Sequence, residues 1–220
     1  MSVKRSVALG EYYHVYNRGA HKQGIFREQA DWARFLFGLI YFQSPTPFKN
    51  ISRRARTFDP QSGYEVRESE FRHVYDARSV ELVAFCLMEN HFHLIVREIR
   101  EGGVSRYLQR VQESYAKYFN EKYQCPGHVF EGPFKAKLVP DNEYLMHLSA
   151  YIHRNPRDIP KWKRSYDAYP WSSCTDYVRE NRWGGLLAQE IILDQFAGTK
   201  ESNYADFVRS SPAKGFDFSV

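Results

Sequence analysis

Residues 80–96, VELVAFCLMENHFHLIV, constrain the fold of this chain more than any other segment. Apart from Glu81, Val80–Met88 consists of apolar, β-branched and aromatic side chains, as expected for a buried strand. Glu89 and Asn90 follow as a tight turn, and His91–Val96 is a second strand-like run. Two such runs joined by two polar residues predict an antiparallel hairpin inside a hydrophobic core.

Periodicity along the rest of the chain predicts one more strand near the start and several amphipathic helices. In chain order these are a strand at Tyr12–Asn17, a helix from about Glu28 to Phe42, a helix that Gly102 and Gly103 open and that runs to about Tyr118, a loop and strand within Gly127–Val139, a helix at Asp141–Arg154 that stops before Pro156, and a helical stretch near Leu186–Phe196. The order strand, helix, strand, strand, helix, strand, helix predicts an α+β sandwich in which helices cover an antiparallel sheet.

The segment from Gln43 to Ser79 is polar, contains three prolines and shows little periodicity. A stretch of this length without its own pattern predicts an insertion, a lid or a mobile loop. Its basic cluster of Arg53, Arg54 and Arg56 has little reason to pack in a core. We expect either a segment that touches nucleic acid or a solvated insertion with no role.

Composition favours a polyanionic partner and a reducing compartment. The formal net charge is +5, which is a weak indication of nucleic acid binding. The three cysteines form no CxxC pair, so a disulfide framework is not expected. No apolar run is long enough for a transmembrane helix, and the first residues lack the apolar core of a secretion signal. We expect a cytoplasmic, nucleoid-associated protein of bacterial type without membrane contact.

The two histidines of the hairpin are candidate metal ligands. His91 and His93 alternate on one strand, so both imidazoles project from the same face, while Phe92 points to the opposite layer. Two neighbouring imidazoles can begin a divalent metal site. Two solvated histidines on a polar face are an equally good interpretation of this spacing alone.

The helix at Asp141–Arg154 places a tyrosine beside a further candidate ligand. His147, Tyr151 and Asn155 are spaced four apart and share one helical face. Asn155 precedes a proline, where the chain leaves the helix, so its amide oxygen could reach a metal. Tyr151 lies one turn earlier and could attack a bound phosphate, but in a chain with 16 tyrosines a buried aromatic is the simpler interpretation.

Several segments together resemble the HUH single-tyrosine transposases, and among them the REP-associated tyrosine transposases. The matching segments, in family order, are YYHVYNRG (12–19), VELVAFCLMENHFHLIV (80–96), YLQRVQESYAKYFNEKY (107–123), HVFEGPFKAKLV (128–139), EYLMHLSAYIHRNP (143–156) and YPWSS (169–173). They cover most of the chain except the Gln43–Ser79 segment and the tail. Each segment alone is weak, but their combination and order are specific.

The resemblance implies a fold and a set of roles. The fold would be a ferredoxin-like HUH endonuclease domain over residues 1–180, with an insertion at about 43–79, a sheet of about four or five strands and a helical tail at 181–220. His91 and His93 would be metal ligands, Asn155 would occupy the third ligand position, and Tyr151 would be the nucleophile. Open positions for hard oxygen ligands favour Mg²⁺ or Mn²⁺. The family usually has proline where this chain has Glu89, which would put an extra carboxylate near the metal.

Other tyrosines and histidines fit the chemistry less well. Tyr115 and Tyr118 lie on the apolar stripe of their helix and are expected in the core. His147 is a candidate for a supporting or general-base role. His14 and His128 have no spacing argument and are expected to be structural or to face DNA.

Basic residues beside aromatic ones predict a DNA-binding surface. The candidates are Arg18, Lys22, Arg110, Lys135, Lys137 and Arg154. Family members recognise hairpins with a short unpaired guide, so single-stranded or hairpin DNA, such as REP-like palindromes, is the expected partner of a monomer or homodimer.

Three functions remain open at this stage. The first is a metal-dependent single-stranded DNA endonuclease and strand transferase that forms a 5′-phosphotyrosine. The second is a domesticated, sequence-specific DNA-binding protein that no longer cuts. The third, an RNA-binding or RNA-processing role, fits the charge but leaves the arrangement of Tyr151 and the histidines unexplained.

Overall fold

The computed structural model describes residues 8–196 and 203–211. At the centre of this described part is an antiparallel sheet with the strand order β2-β3-β1-β4. The strands are β1 (Tyr12–Arg18), β2 (Val80–Met88), β3 (His91–Glu98) and β4 (Lys135–Leu138). The tight turn at Glu89 and Asn90 joins β2 to β3, as the sequence predicted. The two histidines therefore lie on an inner strand, with β1 as its other neighbour.

Helices cover both faces of the sheet. They are α1 (Gln29–Tyr41), α2 (Ile51–Ala55), α3 (Glu68–Ala77), α4 (Gly103–Tyr123), α5 (Asn142–Arg154), α6 (Cys174–Val178), α7 (Glu190–Leu193) and α8 (Tyr204–Ser210). On one face, Phe35 of α1 packs against Phe92 of β3 and Tyr115 of α4, each with ring centroids 5.1 Å apart. On the other face, α5 lies over the strand that carries the histidines. The predicted ferredoxin-like α+β fold is confirmed.

Two helices show which residues determine where a helix begins and ends. Asp141 caps α5 by accepting a hydrogen bond from the backbone N–H of Tyr144 at 2.7 Å, as its residue type predicted. Helix α4 continues to Tyr123, five residues beyond the predicted end at Tyr118. The extra turn is stabilised by Phe119, which is buried, and by Tyr123, whose ring packs 4.7 Å from that of Phe119. The polar residues between Phe119 and Tyr123 interrupt the apolar pattern, so the sequence did not predict this last contact.

The segment from Gln43 to Ser79 is not a lid or a mobile loop, and the prediction that it would not pack in the core was wrong. It contains α2 and α3, and Ala55, Tyr64 and Val74 are buried. The Tyr64 hydroxyl donates to the carbonyl of Ala33 in α1 at 2.6 Å. Phe58 stacks on Trp171 at 4.7 Å. Isolated aromatic residues anchor this segment, and single anchors produce no periodic pattern.

The chain beyond residue 180 packs on the same core in its described part. Trp183 and Leu187 are buried, and Leu187 forms a bridge to Leu82 of β2. Helix α8 packs against α5. The predicted helical tail includes residues 197–202 and 212–220, which lie outside the described residues. In the described part of the chain, no helix is both long and apolar enough to cross a membrane.

Candidate active site

The sheet brings four aromatic side chains from β1 and β3 onto the face that α5 covers. Tyr16 pairs with His93 and Arg18 pairs with His91 in the antiparallel register. His14 lies two residues before Tyr16 on the same side of β1, so it is the diagonal neighbour of His93. The alternation of β3 sends both His91 and His93 to this face, as predicted, and buries Phe92 on the other. We call His14, His91, His93, Tyr151 and Asn155 the histidine–tyrosine cluster.

A direct hydrogen bond joins the two buried imidazoles of this cluster. His14 Nε2 and His93 Nδ1 are 2.9 Å apart, and the rings stack with centroids 5.2 Å apart. His14 and His93 have at most 1% of their surface exposed. The Nδ1 of His14 is buried with no hydrogen-bond partner in the described part of the chain. His14 is therefore held by a hydrogen bond at Nε2, while its other ring nitrogen, Nδ1, has no partner in the described residues.

Burial keeps all three histidines neutral near pH 7. Burial, together with a smaller effect from the charge of Lys137, lowers the pKa of His14 to about 3. The pKa of His93 is lowered well below its usual value by burial and by the neighbouring imidazoles. Burial also lowers the pKa of His91, against the opposing effects of a hydrogen bond with the Asn155 side chain and the charge of Asp158. Neutral imidazole is the form that binds a metal.

The orientation of His91 is set by its own neighbour in the turn. His91 Nδ1 is 2.7 Å from the Asn90 Oδ1. The Asn90 amide nitrogen donates to the carbonyl of Lys22 at 3.1 Å, so the amide oxygen is the atom that faces His91. An amide oxygen only accepts, so His91 must carry its proton on Nδ1. This leaves the Nε2 lone pair of His91 for another partner.

Tyr151 lies against the histidines, as the family resemblance implied. Its ring makes edge contacts with His93 at 5.4 Å and with His14 at 6.4 Å between centroids. Asn155 follows one turn later, where its side-chain nitrogen donates to the Tyr151 carbonyl at 2.9 Å. His91 and Tyr151 are only partly buried, so the cluster opens to solvent at these two residues. The structure thus brings Tyr151, His91, His93 and Asn155 together.

The donor set of the cluster fits a divalent cation only in part. In the described residues, no three His, Cys, Asp or Glu side chains gather closely enough to hold a metal by themselves. His91 and His93 are neutral, and their Nδ1 atoms are occupied, so Nε2 of each is the atom that could face a cation. An amide oxygen from Asn155 and oxygens of a substrate or water would have to complete the coordination. This set, poor in carboxylates, suits an ion that shares its ligands with a phosphate.

The Glu89 side chain faces the loop that follows β1. Its side chain lies against Gly24, where a Cβ would be 3.5 Å from Glu89 Oε1, and its charge acts on Tyr169. The acidic residue whose charge acts on His91 is Asp158. The expectation that Glu89 adds a carboxylate near a metal stays a prediction.

The competing tyrosines, Tyr115 and Tyr118, lie on the opposite side of the sheet, where their hydroxyls donate hydrogen bonds. The Tyr115 hydroxyl donates to the carbonyl of Ile25, and burial raises its pKa. The Tyr118 hydroxyl donates to Asp31 at 3.0 Å. Neither hydroxyl reaches the histidine–tyrosine cluster, since α4 packs on the face that carries Phe92.

Four of the predicted DNA-binding residues lie around this face. Lys135 and Lys137 of β4 flank the Tyr16 ring, with Nζ atoms 5.8 Å and 6.0 Å from its centroid. Arg18 forms a bidentate ion pair with Glu131. Lys22 is exposed beside the hairpin turn. These residues surround one edge of the cluster with positive charge.

The structure does not bring Arg110 to this site. Its guanidinium lies on the other side of the sheet, where it donates to the carbonyls of Ser44 and Thr46 and packs 4.3 Å from the centroid of Phe42. Arg154 lies at the end of α5, where it donates to the carbonyl of Ser211. Arg110 holds the start of the 43–79 segment, and its spacing on a polar helix face gave no sign of this.

Two residues of the site were missed from the sequence. His14 was expected to be structural or DNA-facing, and Tyr16 was not singled out. Tyr12, His14, Tyr16 and Arg18 alternate along β1, so they share one strand face. Pairing β1 beside β3, as a ferredoxin-like sheet requires, would have placed that face next to His91 and His93. His147, by contrast, turns to α8, with its Nδ1 2.8 Å from the Ser211 hydroxyl.

Comparison with known proteins found similarity to one protein family and to a solved structure. Residues 50–155 match the family model described as transposase IS200 like, and this match includes most of the 43–79 segment. The structure is similar to that of a REP-associated tyrosine transposase bound to a REP hairpin, with a TM-score of 0.53, 12% identity and coverage of 83% of this chain and 88% of that chain. No curated protein matches the chain. At this identity the structural likeness shows the fold, and the family match covers the β2–β3 hairpin and α5. Just under half of the chain, residues 50–155, is therefore similar to the IS200-like transposase family, and the fold is similar to that of a REP-associated tyrosine transposase.

Proposed function

We propose that this protein is a metal-dependent endonuclease and strand transferase for single-stranded DNA, with Tyr151 as its nucleophile. The observation that carries the proposal is the edge contact of the Tyr151 ring with His93, 5.4 Å between centroids, on the strand that also presents His91. A nucleophile beside two neutral imidazoles is the arrangement that phosphoryl transfer to tyrosine needs. The match to the IS200-like transposase family supports a DNA-processing role.

The chemical step balances without an external energy source. The Tyr151 oxygen forms a bond to the scissile phosphorus and gives up its proton. The bond from phosphorus to the 3′ oxygen breaks, and that oxygen leaves as a 3′-hydroxyl after taking a proton. The product is a 5′-phosphotyrosine, and attack by another 3′-hydroxyl reverses the reaction. No ATP is needed, because one phosphodiester is exchanged for another.

The residues of the cluster would divide the remaining tasks. His91, His93 and Asn155 would hold Mg²⁺ or Mn²⁺, which when bound supplies Lewis-acid polarisation of the scissile phosphate. Asn155 also bonds the carbonyl of Tyr151, so it ties the last turn of α5 to the position of the nucleophile. The partly exposed edge at His91 and Tyr151 is where a strand would enter.

Hairpin DNA is the substrate that the surroundings favour. Lys135, Lys137 and Lys22 provide positive charge next to the cluster, and phosphate contacts of this kind supply affinity without sequence preference. Arg18 would add to them when its ion pair with Glu131 opens. A protein of the same fold is described as bound to a REP hairpin, which suggests a hairpin with an unpaired flank for this chain as well.

The test is a covalent adduct on an end-labelled hairpin oligonucleotide with Mn²⁺, mapped to one tyrosine by mass spectrometry. Wild-type protein should give an adduct on Tyr151. Tyr151→Phe should lower adduct formation by more than about 10³-fold, since the nucleophile is lost, while hairpin affinity hardly changes. Tyr118→Phe is the matched control and should form the adduct normally. Tight hairpin binding by wild-type protein without any adduct would favour the domesticated DNA-binding protein instead.

A further inference from the structure

His14 stands out in the histidine–tyrosine cluster because no role in the proposed reaction accounts for it. It lies in the middle of β1, has 0% of its surface exposed, and places a polar ring where the core would accept an apolar one. Burying an imidazole whose Nδ1 has no partner in the described residues is costly. A group that is retained at such a cost calls for a functional explanation.

The hydrogen bond between His14 and His93 can be made in only two ways when both rings are neutral. Either His93 Nδ1–H donates to the lone pair of His14 Nε2, or His14 Nε2–H donates to His93 Nδ1. In the first arrangement His93 keeps a lone pair on Nε2, and in the second it carries a proton there. Only the first arrangement leaves His93 able to act as a ligand through Nε2.

His91, the other proposed ligand, also has its Nδ1 atom occupied, but its partner is Asn90. Asn90 accepts from His91 Nδ1 at 2.7 Å and is itself oriented by the carbonyl of Lys22, so the proton of His91 is fixed on Nδ1. The Nδ1 atom of His93 is likewise occupied at 2.9 Å, here by His14. Ligating histidines need such a partner to fix the ring and its tautomer.

We propose that His14 is a positioning residue that accepts the Nδ1–H of His93 and so keeps the His93 Nε2 lone pair directed at the metal position beside Tyr151. This inference rests on the proposed function, since it assigns His93 as a ligand. His14 touches neither substrate nor metal. It acts through the orientation and tautomer of the ring that does, and the stacked contact at 5.2 Å limits rotation of that ring.

The first experiment needs no substitution. Long-range ¹H–¹⁵N correlation spectra of metal-free protein identify which ring nitrogen of His93 carries the proton. The expected result is a proton on Nδ1 and none on Nε2. A proton on Nε2 of His93 in the wild type would overturn the proposal, whatever the protein does to DNA.

The second experiment measures Mn²⁺ binding by calorimetry, without DNA. His14→Phe keeps a planar ring but removes the acceptor, and should weaken Mn²⁺ binding about 10–100-fold, the usual effect of losing a partner of a ligating histidine. His14→Gln places an amide oxygen near the original Nε2 and should retain most of the affinity. His128→Phe changes an exposed histidine and serves as the matched control.

The outcomes separate the two hypotheses. Equal Mn²⁺ affinity in wild type and His14→Phe would overturn the role of His14 even if DNA cleavage were intact. A wild type that binds no Mn²⁺ and forms no adduct would overturn the proposed function, while the spectra of metal-free protein would still decide the tautomer of His93. If His14→Phe fails to fold, the comparison of His14→Gln with wild type and the spectra remain decisive.

Discussion

His14 and His153 are two completely buried histidines, and burial lowers the pKa of each to about 3, yet their surroundings differ in one respect. His153 has a hydroxyl on each ring nitrogen, with Tyr204 at 2.6 Å from Nδ1 and Ser173 at 2.7 Å from Nε2. His14 has a partner on one nitrogen only, and that partner is another histidine.

The contrast is between a complete and an incomplete hydrogen-bond network in this core. The Tyr204 hydroxyl also bonds Ser149, and Ser173 also bonds the backbone of Phe85, so His153 ties α5 to α8 and β2 in a closed network. A closed network contributes to stability and has no atom left for a ligand. The histidine–tyrosine cluster is left open, because His14 Nδ1 is buried without a partner in the described residues, which costs stability.

The largest effect is expected from removing a ligand of the open cluster. His93→Ala should weaken Mn²⁺ binding by more than about 100-fold, beyond the effect of losing only a partner of a ligand, and should abolish Mn²⁺-dependent cleavage. EDTA should do the same to the wild type, and calorimetry with a gel-based cleavage assay measures both. Full cleavage in EDTA would exclude the metal mechanism. His153→Phe should bind Mn²⁺ as tightly as wild type once it is folded.

The closed network should show the opposite response. His153→Phe removes two hydrogen bonds while keeping a ring of similar size, and should lower the free energy of unfolding by about 2–4 kcal/mol. Urea unfolding measures this loss, with His128→Phe as an exposed control that should change little. If the substitution left stability intact but impaired Mn²⁺ binding, the two histidine centres would not be distinct in the way proposed.

Lowering the pH should lower the free energy of unfolding, and His153 should account for part of this loss. The folded protein holds the pKa of His153 at about 3, below the usual value near 6.5 of an unfolded chain. Between these values the unfolded chain binds a proton that the folded protein excludes, so stability falls as the pH drops from 6.5 toward 3. One such histidine accounts for about 1.4 kcal/mol per pH unit.

His153→Phe should reduce this pH dependence by its share, measured by urea unfolding in EDTA between pH 4 and 7. Identical slopes for the wild type and the variant would mean that His153 is not held neutral in the fold.

The hairpin and α5 could be predicted from the sequence because each carries its signal locally. Strand alternation fixed which way His91 and His93 point, and the spacing of four placed Tyr151 and Asn155 on one helical face. The capping aspartate and Pro156 fixed both ends of that helix. These are the parts of the site that depend on neighbours in sequence.

The parts that were missed depend on contacts between distant residues. His14 becomes a partner of His93 only through the register of β1 against β3, across 79 residues of chain. The 43–79 segment packs through single aromatic anchors such as Tyr64 and Phe58, which leave no period to detect. Arg110 looked like a free cation on a helix surface because its two carbonyl partners lie in that same segment.

The smallest effect is expected in the 43–79 segment. Here we call an arginine closed when its guanidinium is bonded within the protein, and open when it is exposed without an ion pair in the described residues. Arg54 is closed, because it makes two hydrogen bonds to Glu70 at 2.7 Å and 3.1 Å and one to the carbonyl of Lys49. Its partner Glu70 has a pKa lowered to about 2, first by Arg67 and then by Arg54 against the opposing effect of burial. Arg53 and Arg56 are exposed and form no ion pair in the described residues.

Only the open arginines should therefore contribute to DNA binding. The double substitution Arg53→Gln and Arg56→Gln should weaken hairpin binding and lower the slope of log affinity against log salt by roughly 0.7–0.9 for each phosphate that the variant no longer neutralises. Cleavage at saturating DNA should hardly change, because the cluster around Tyr151 is untouched. Arg54→Gln is the matched control: it should cost about 1 kcal/mol of stability and leave the salt slope unaltered. An unchanged slope in the double variant would mean that the segment does not touch DNA, and its arginines would then serve only to keep that surface hydrated.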